Sequence, residues 1–183
     1  LQGSARKKFS QIYILRASAK AGYDRIYYTS SWGDSEYGQT ELQLNTSHVF
    51  NIYRWWNISL AADVQWDKLA STNYAAERFT SISALTCSFR FERVSVNAAV
   101  EYAGHFDKDQ LARHAISPSL DFRLRIYDGL DIVGFGRRAY RSPMFNELYY
   151  AGYGNPDLLP EDAWLTDLGI DFHKKIFSAW IHK

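Results

Sequence analysis

Residues 56–67 read WNISLAADVQWD and alternate between two kinds of side chain at every step. One set of alternate positions is apolar: Trp56, Ile58, Leu60, Ala62, Val64 and Trp66. The other set is mostly polar: Asn57, Ser59, Ala61, Asp63, Gln65 and Asp67. Because successive side chains of a β-strand point to opposite faces, this stretch predicts a long strand with one apolar and one polar face.

The same period of two recurs along the chain, most clearly over 94–102 and 116–126. It predicts an all-β fold, an antiparallel up-and-down meander in which no segment has sustained helical periodicity. No linker or low-complexity stretch interrupts the series, so a single domain is expected. The nine predicted strands are 11–21, 38–48, 56–67, 79–90, 94–102, 114–126, 130–137, 163–172 and 176–182.

Short and long connections alternate between these predicted strands. The short ones are 49–55, 91–93, 127–129 and 173–175, and the long ones are 22–37, 68–78, 103–113 and 138–162. In a meander this order places all short turns on one rim and all long loops on the other. That sorting is typical of a transmembrane barrel, with short periplasmic turns and long extracellular loops.

Strand length and aromatic placement also favour a transmembrane barrel. Several predicted strands reach 11–13 residues, whereas a tilted strand needs about 9–11 residues to cross a bilayer and soluble strands average about 5–6. Aromatic residues are 16% of the chain. In a soluble β-sandwich they would form the core, whereas in a barrel they form interfacial girdles. Those near predicted strand ends are Tyr53, Trp55, Trp56, Trp66, Phe89, Phe91, Tyr102, Tyr127 and Phe172.

Composition and residue spacing argue against several other functions. The net charge is +1, so nucleic acid is not an expected partner. No apolar run is long enough for a transmembrane helix, and the single cysteine, Cys87, is predicted to pack on a strand face. His105 and His114 share a predicted loop with Asp107 and Asp109, which is more simply a solvated polar loop than a metal site. Without a phosphate loop, nucleophile elbow or zinc spacing, we predict no catalysis, metal or cofactor.

The segment GRRAYRSPMFNELYYAGYGNPDLLPEDAW, residues 136–164, is both irregular and aromatic. Its centre holds too many breakers for a helix or a strand. Pro143 removes a ladder donor, so the preceding strand is expected to end near it, and Pro160 precedes the next strand. Gly154-Asn155-Pro156 predicts a turn. Three tyrosines supply rigid, amphipathic contact area that either holds the loop together or contacts a ligand: Tyr149, Tyr150 and Tyr153.

This segment closely resembles the signature near the C-terminal part of TonB-dependent outer-membrane receptors, which include cobalamin and siderophore receptors. In that family an Arg-x-Pro step ends a strand, an Asn-Glu-Leu-Tyr-like segment follows, and Gly-Asn-Pro-x-Leu-x-Pro-Glu opens the next strand. A basic residue is often found where this chain has Leu159. Tyr149 belongs to the matching segment. The other matching residues, expected to be mainly structural, are Arg141, Pro143, Asn146, Glu147, Leu148, Gly154, Asn155, Pro156, Leu158, Pro160 and Glu161.

The resemblance implies a place in the bacterial outer membrane and a role in active uptake of a scarce, bulky nutrient, such as cobalamin or a ferric siderophore. Family members have a plug domain and a 22-stranded barrel. Nine strands are less than half of that barrel, so residues 1–183 are interpreted as part of the barrel domain, with the plug and final strands absent. The expected partners are outer-membrane lipid, that plug, the remaining strands and, through the absent N-terminal part, the TonB protein.

Two alternatives stay open at this point. The chain could be a small outer-membrane barrel that acts as an adhesin or a passive pore, or a soluble all-β binding domain. The start at Leu1, without an initiator Met or an apolar leader, is expected either of a chain whose signal was removed or of an excerpt from a longer protein.

Overall fold

A computed structural model of the chain describes residues 1–30, 33–72, 74–108, 110–150, 153–174 and 177–182. They form one antiparallel sheet in which each strand pairs with its neighbours in sequence, in the order β1 to β10. A short helix, α1, lies between the eighth and ninth strands. The elements are β1 (Gln2–Lys8), β2 (Tyr13–Ser30), β3 (Gly33–Tyr53), β4 (Trp56–Ser71), β5 (Ala75–Arg90), β6 (Val94–Asp107), β7 (Arg113–Tyr127), β8 (Leu130–Arg141), α1 (Phe145–Tyr149), β9 (Glu161–Lys174) and β10 (Phe177–His182).

The predicted antiparallel meander is confirmed, but the described residues contain ten strands rather than nine. The additional strand is β1, which pairs with β2 from Gln2 opposite Lys20 to Lys8 opposite Ile14. Its sequence, QGSARKK, has no apolar alternation. Every β1 residue is exposed. Because the strand has no buried face, its sequence need not alternate between apolar and polar side chains, and the strand is specified by its hydrogen bonds to β2.

The strands are also longer than predicted at one rim of the sheet. Of the predicted long connections, 22–37, 68–78 and 103–113 are mostly strand. The β2–β3 ladder, for example, continues to Ser30 opposite Gly33. These extensions are mostly polar, with cross-strand pairs such as Arg25 and Glu36, so they lack the apolar alternation from which strands were predicted. Only the connection over 142–160 is long, and we call its side of the sheet the loop rim and the opposite side the turn rim.

Cross-strand register gathers the apolar side chains on one face, which we call the outer face. Leu60 lies opposite Leu85, Leu85 opposite Val100, and Val100 opposite Pro118. The polar positions of the same strands, such as Asp63, fall on the other, inner face. Large apolar side chains of the outer face remain well exposed, among them Leu42, Leu44, Leu60, Leu85, Val100, Ile116, Leu120, Leu168 and Ile170.

Two aromatic rows border this apolar face. Toward the turn rim the rings stack from strand to strand: Phe9, Tyr13 and Phe50, then Tyr53, Trp55, Trp56, Phe89 and Phe91. Toward the loop rim Trp66 lies opposite Phe79, whose ring centroid is 6.1 Å from that of Phe106. Trp56 and Trp66 are ten residues apart on β4, or about 33 Å along the strand and about 25 Å in height at a tilt of about 40°. That height equals the apolar band of outer-membrane barrels.

The buried apolar side chains lie near the loop rim. Among the described residues, four apolar side chains are less than a tenth exposed, namely Leu69, Ala103 and Ala115 on the inner face and Leu148 in α1. No helix in the described part of the chain has the length and apolar content to cross a membrane. The loop that contains α1 is therefore the element that packs against the sheet.

Candidate ligand-binding loop

The loop over 142–160 begins and ends at prolines. β8 ends at Arg141, two residues before Pro143, and β9 begins at Glu161, directly after Pro160. Both positions follow from chemistry, because proline has no N–H for the ladder and restricts the residue before it. Between them α1 corrects the prediction that the segment is too broken for a helix. A single turn fits between Pro143 and Gly154, and the Glu147 carboxylate accepts the Met144 N–H at its start, at 2.8 Å.

The second half of the loop is a compact turn around Gly154. The N–H of Gly154 donates to the carbonyl of Tyr150, and the N–H of Asn155 donates to that of Glu147. A Cβ at position 154 would lie 2.6 Å from the Tyr150 nitrogen and 2.7 Å from the Leu148 oxygen. Only glycine therefore fits. The Asn155 side chain accepts the N–H of Asp157 at 3.0 Å, which closes an Asx turn around Pro156, and the N–H of Leu158 donates to the Asn155 carbonyl at 3.1 Å.

An ion cluster joins the two ends of the loop. The Arg141 guanidinium donates to both carboxylate oxygens of Glu147, at 2.9 and 3.1 Å, and to both of Glu161, at 2.6 and 2.9 Å. These hydrogen bonds lower the pKa of Glu147, with a contribution from the Met144 N–H, and lower that of Glu161. The two carboxylates in turn raise the pKa of Arg141. Three motif residues that are distant in sequence thus meet at one point.

The loop folds inward over the sheet instead of projecting away from it. Leu148 is fully buried. Arg78 on β5 donates from Nη1 to the carbonyl oxygen of Pro143 at 2.8 Å, and its guanidinium lies 5.0 Å from the centroid of the Phe145 ring. The Tyr74 hydroxyl donates to Oδ1 of Asn146 at 3.1 Å. The loop is therefore held by polar contacts at both ends of α1 as well as by burial of Leu148.

A second connection of the loop rim, 108–112, contacts the same loop. Gln110 donates from Nε2 to the carbonyl oxygen of Pro156 at 3.3 Å, and its own Oε1 accepts from Arg113 at 2.6 Å. Arg113 also donates to Oδ2 of Asp107 at 3.1 Å, and Asp107 receives two further bonds from Arg78. Arg78 and Asp107 are directly opposite each other on β5 and β6.

The three tyrosines predicted to contact a ligand occupy different positions. Tyr149 is half-buried, with its ring centroid 6.1 Å from that of Tyr74. Tyr150 is 45% exposed and Tyr153 is 88% exposed, and their rings lie 6.1 Å apart. Ligand contact by these residues stays a prediction, and the geometry favours the exposed pair over Tyr149.

Residues outside the motif contribute as much to this site as the motif does. Arg78, Asp107, Gln110 and Arg113 carry its polar contacts, and Tyr74 contacts α1. All five fall at or within the predicted connections 68–78 and 103–113. The opposite charges of Arg78 and Asp107 could have indicated this contact. The two residues face each other, however, only when β5 and β6 are both extended to the loop rim.

The described polar side chains of the predicted histidine and aspartate loop are engaged with neighbouring residues. His105 contacts Thr80 at 3.3 Å and His114 contacts Tyr102 at 2.8 Å, while Asp107 is bound by the two arginines and Asp109 lies outside the described residues.

Asp131, Asp171 and His173 also lie close together on the inner face near the turn rim. Nη1 of Arg123 donates to Asp131 at 2.7 Å and to Asp171 at 3.0 Å. The Arg123 guanidinium therefore bridges the two carboxylates of this group.

Comparison with known structures agrees with the long, tilted meander. The FrpB iron transporter from Neisseria meningitidis (F5-1 variant) has a TM-score of 0.79 and 10% identity, over 98% of this chain and 35% of that one. The copper transporter OprC has a TM-score of 0.80 and 14% identity, over 98% of this chain and 36% of that one. The siderophore receptor PirA from Pseudomonas aeruginosa has a TM-score of 0.70 and 14% identity, over 99% of this chain and 43% of that one. The chain thus spans about a third of the first two structures that it matches. No curated protein matches it.

The decisive match is to a family. The family described as TonB dependent receptor-like, beta-barrel matches residues 3–181, which is nearly the whole chain. The chain therefore belongs to the TonB dependent receptor-like β-barrel family and has its place in the bacterial outer membrane.

Proposed function

We propose that this chain forms part of the barrel wall of a receptor that actively imports a scarce, bulky nutrient, such as cobalamin, a ferric siderophore or a similar metal complex. One observation carries the proposal: a folded, aromatic loop covers the loop-rim end of a polar inner face. Tyr150 and Tyr153 stand at its exposed edge, where an incoming ligand would meet them first.

The inner face supports passage of a polar ligand. Below the loop lies a recess whose walls carry amide and carboxylate groups, lined by Gln39, Gln65, Asp67, Leu69, Arg78, Met144, Phe145 and Asn146. Such groups bind a large polar molecule through several moderate hydrogen bonds. The neighbours named as iron and copper transporters and as a siderophore receptor support metal ions or metal complexes as the cargo class.

We further propose that the complete receptor contains a plug domain and additional strands that pair with β1 and β10. Transport would then draw on the TonB protein through a part of the receptor outside this chain. The open sheet and the coverage of about a third of the FrpB and OprC structures support this arrangement. The family match weighs against an adhesin or a soluble β-domain.

Uptake measurements in the host bacterium test the proposal. Cells with and without the full-length receptor are compared for accumulation of labelled cyanocobalamin, ferrichrome, ferric enterobactin and Cu²⁺. We expect at least one cargo to depend on the receptor and to lose its uptake when TonB is deleted. Receptor-dependent uptake that persists without TonB would instead favour a passive pore. Unchanged uptake of every cargo in cells that lack the receptor would contradict the proposal.

A further inference from the structure

Arg78 is a buried arginine whose three guanidinium nitrogens each donate a hydrogen bond within the protein. Its side chain is 10% exposed, and that of Asp107, opposite it on β6, is 3% exposed. Nε and Nη2 donate to the two carboxylate oxygens of Asp107, while Nη1 donates to the carbonyl oxygen of Pro143. The ring of Phe145 covers the group at 5.0 Å. Because each of its three nitrogens donates to a protein group, Arg78 is placed to hold structure.

Arg78 and Asp107 link two connections of the loop rim directly, and a third connection contacts the same loop beside them. The loop over 142–160 is bound at Pro143 and Phe145. The connection 108–112 is bound through Asp107 and Arg113, and through Gln110 to Pro156. The connection between β4 and β5 joins through Tyr74, which contacts Asn146 and Tyr149. A displacement of one connection would therefore strain contacts to the other two.

We infer that Arg78 is a positioning residue that joins these three connections into one preorganised binding rim and so fixes Tyr150 and Tyr153 over the inner face. The inference rests on the proposed function for its consequence in uptake, while docking of the loop can be measured without any cargo. A loop that is ordered before binding loses less conformational freedom when it binds. Release of the loop should therefore weaken capture of cargo and leave later transport steps unchanged.

The first measurement is loop docking in the full-length receptor without cargo. Spin labels at Asp157→Cys on the loop and Tyr127→Cys at the turn rim, with Cys87 and any other cysteine replaced, report the distance between loop and barrel. We expect one narrow distance distribution for the parent protein. Arg78→Ala and Asp107→Asn should broaden it, and Arg78→Lys should broaden it partly, because an ammonium cannot reproduce the two-pronged contact with the carboxylate.

The chain offers a matched control on the same inner face. Arg123 also bridges carboxylates, those of Asp131 and Asp171, but toward the turn rim. Arg123→Ala should leave the loop distance unchanged. If Arg78→Ala alone prevents folding by leaving Asp107 buried without its main partner, the double variant Arg78→Leu with Asp107→Asn removes both charges. It should fold and still release the loop.

The second measurement separates capture from transport. For the cargo identified in the uptake assay, Arg78→Ala should raise KM about tenfold with little change in maximal rate, whereas Arg123→Ala should change neither. A narrow, unshifted loop distance in Arg78→Ala and in the double variant would overturn the inference. So would a released loop with an unchanged KM. If the parent receptor imports none of the cargoes, the proposed function fails, and the spin-label distances still decide whether Arg78 holds the loop.

Discussion

Leu60 and Asp63 are three residues apart on β4 and face opposite sides of the sheet. Leu60 is 45% exposed on the outer face and lies opposite Leu85. We expect Leu60→Arg to reduce folding into lipid vesicles far more than Asp63→Arg, because an arginine at the bilayer midplane costs about 2–4 kcal/mol whereas lumen positions tolerate charge. Folding yield at increasing urea concentration measures the difference. Equal yields for the two variants would mean that the faces are wrongly assigned.

Gly154 is required by space and not by an unusual φ angle. A Cβ would lie against the backbone of Tyr150 and Leu148, which cannot move aside as a flexible side chain could. Gly154→Ala should therefore open the loop, at a cost of roughly 1–3 kcal/mol, and leave the barrel intact. Chymotrypsin cleavage of the folded receptor within 150–158 should become faster. The control is Gly136→Ala, whose Cβ would make an ordinary contact with Thr166 at 3.8 Å; equally fast cleavage of both variants would argue against this reason.

The ion cluster predicts how the loop responds to acid. The pKa values of Glu147 and Glu161 are lowered by Arg141, so their charged forms stabilise the docked loop above the ordinary carboxyl pKa of about 4.3. This stabilisation is lost as the pH falls through the lowered values. Protease resistance of the loop should therefore stay constant from pH 8 to about pH 5 and decline only in stronger acid. Glu147→Gln with Glu161→Gln should weaken resistance at neutral pH and remove most of the decline.

At the scale of elements, the hairpins have a definite direction across the membrane. The connection 128–129 lies at the turn rim and 108–112 lies at the loop rim with the candidate binding loop. We expect an epitope tag inserted at 128–129 to be hidden on intact cells and one inserted within 108–112 to be accessible to antibody, because barrels keep their short turns in the periplasm. The opposite labelling pattern would show that the assigned orientation of the sheet in the membrane is reversed. Permeabilised cells, in which both tags should bind antibody, are the control for expression.

The sequence predicted a strand well where one of its faces must be apolar, because apolar and polar side chains then alternate. β4 was predicted from Trp56 to Asp67 because its outer positions must be apolar, and it extends to Ser71. β1 and the loop-rim ends of β2 and β3 have no such requirement for an apolar face. Their backbones are paired, but their side chains show no alternation from which a strand could be predicted. The loop was found through its prolines and glycine, whose backbone effects are local. Arg78 was missed because its role depends on register across β5 and β6 and on the distant Pro143.

At the scale of the whole molecule, the sheet inverts the arrangement of a soluble domain. Its large apolar side chains are exposed on one face, and the buried apolar side chains of the described residues lie where the inner face meets the loop over 142–160. We expect the outer face to be stable against lipid. The loop contact, in contrast, combines the buried Leu148 and Arg78–Asp107 pair with the more exposed cluster of Arg141, Glu147 and Glu161, so its stability depends on individual charges and on pH. Membrane insertion and loop docking are therefore separable by mutation.

The two edges of the sheet determine how the 183-residue chain behaves alone. Within the described residues β1 pairs only with β2 and β10 only with β9, so each presents a row of backbone groups without strand partners. In hydrocarbon such groups cost several kcal/mol each, and in water they template association with other chains. We expect the isolated chain to aggregate in plain buffer and to need detergent or its partner strands to stay dispersed. Sedimentation and light scattering test this. A monodisperse monomer that unfolds cooperatively without detergent would show that the edges and the apolar face are covered within the chain itself.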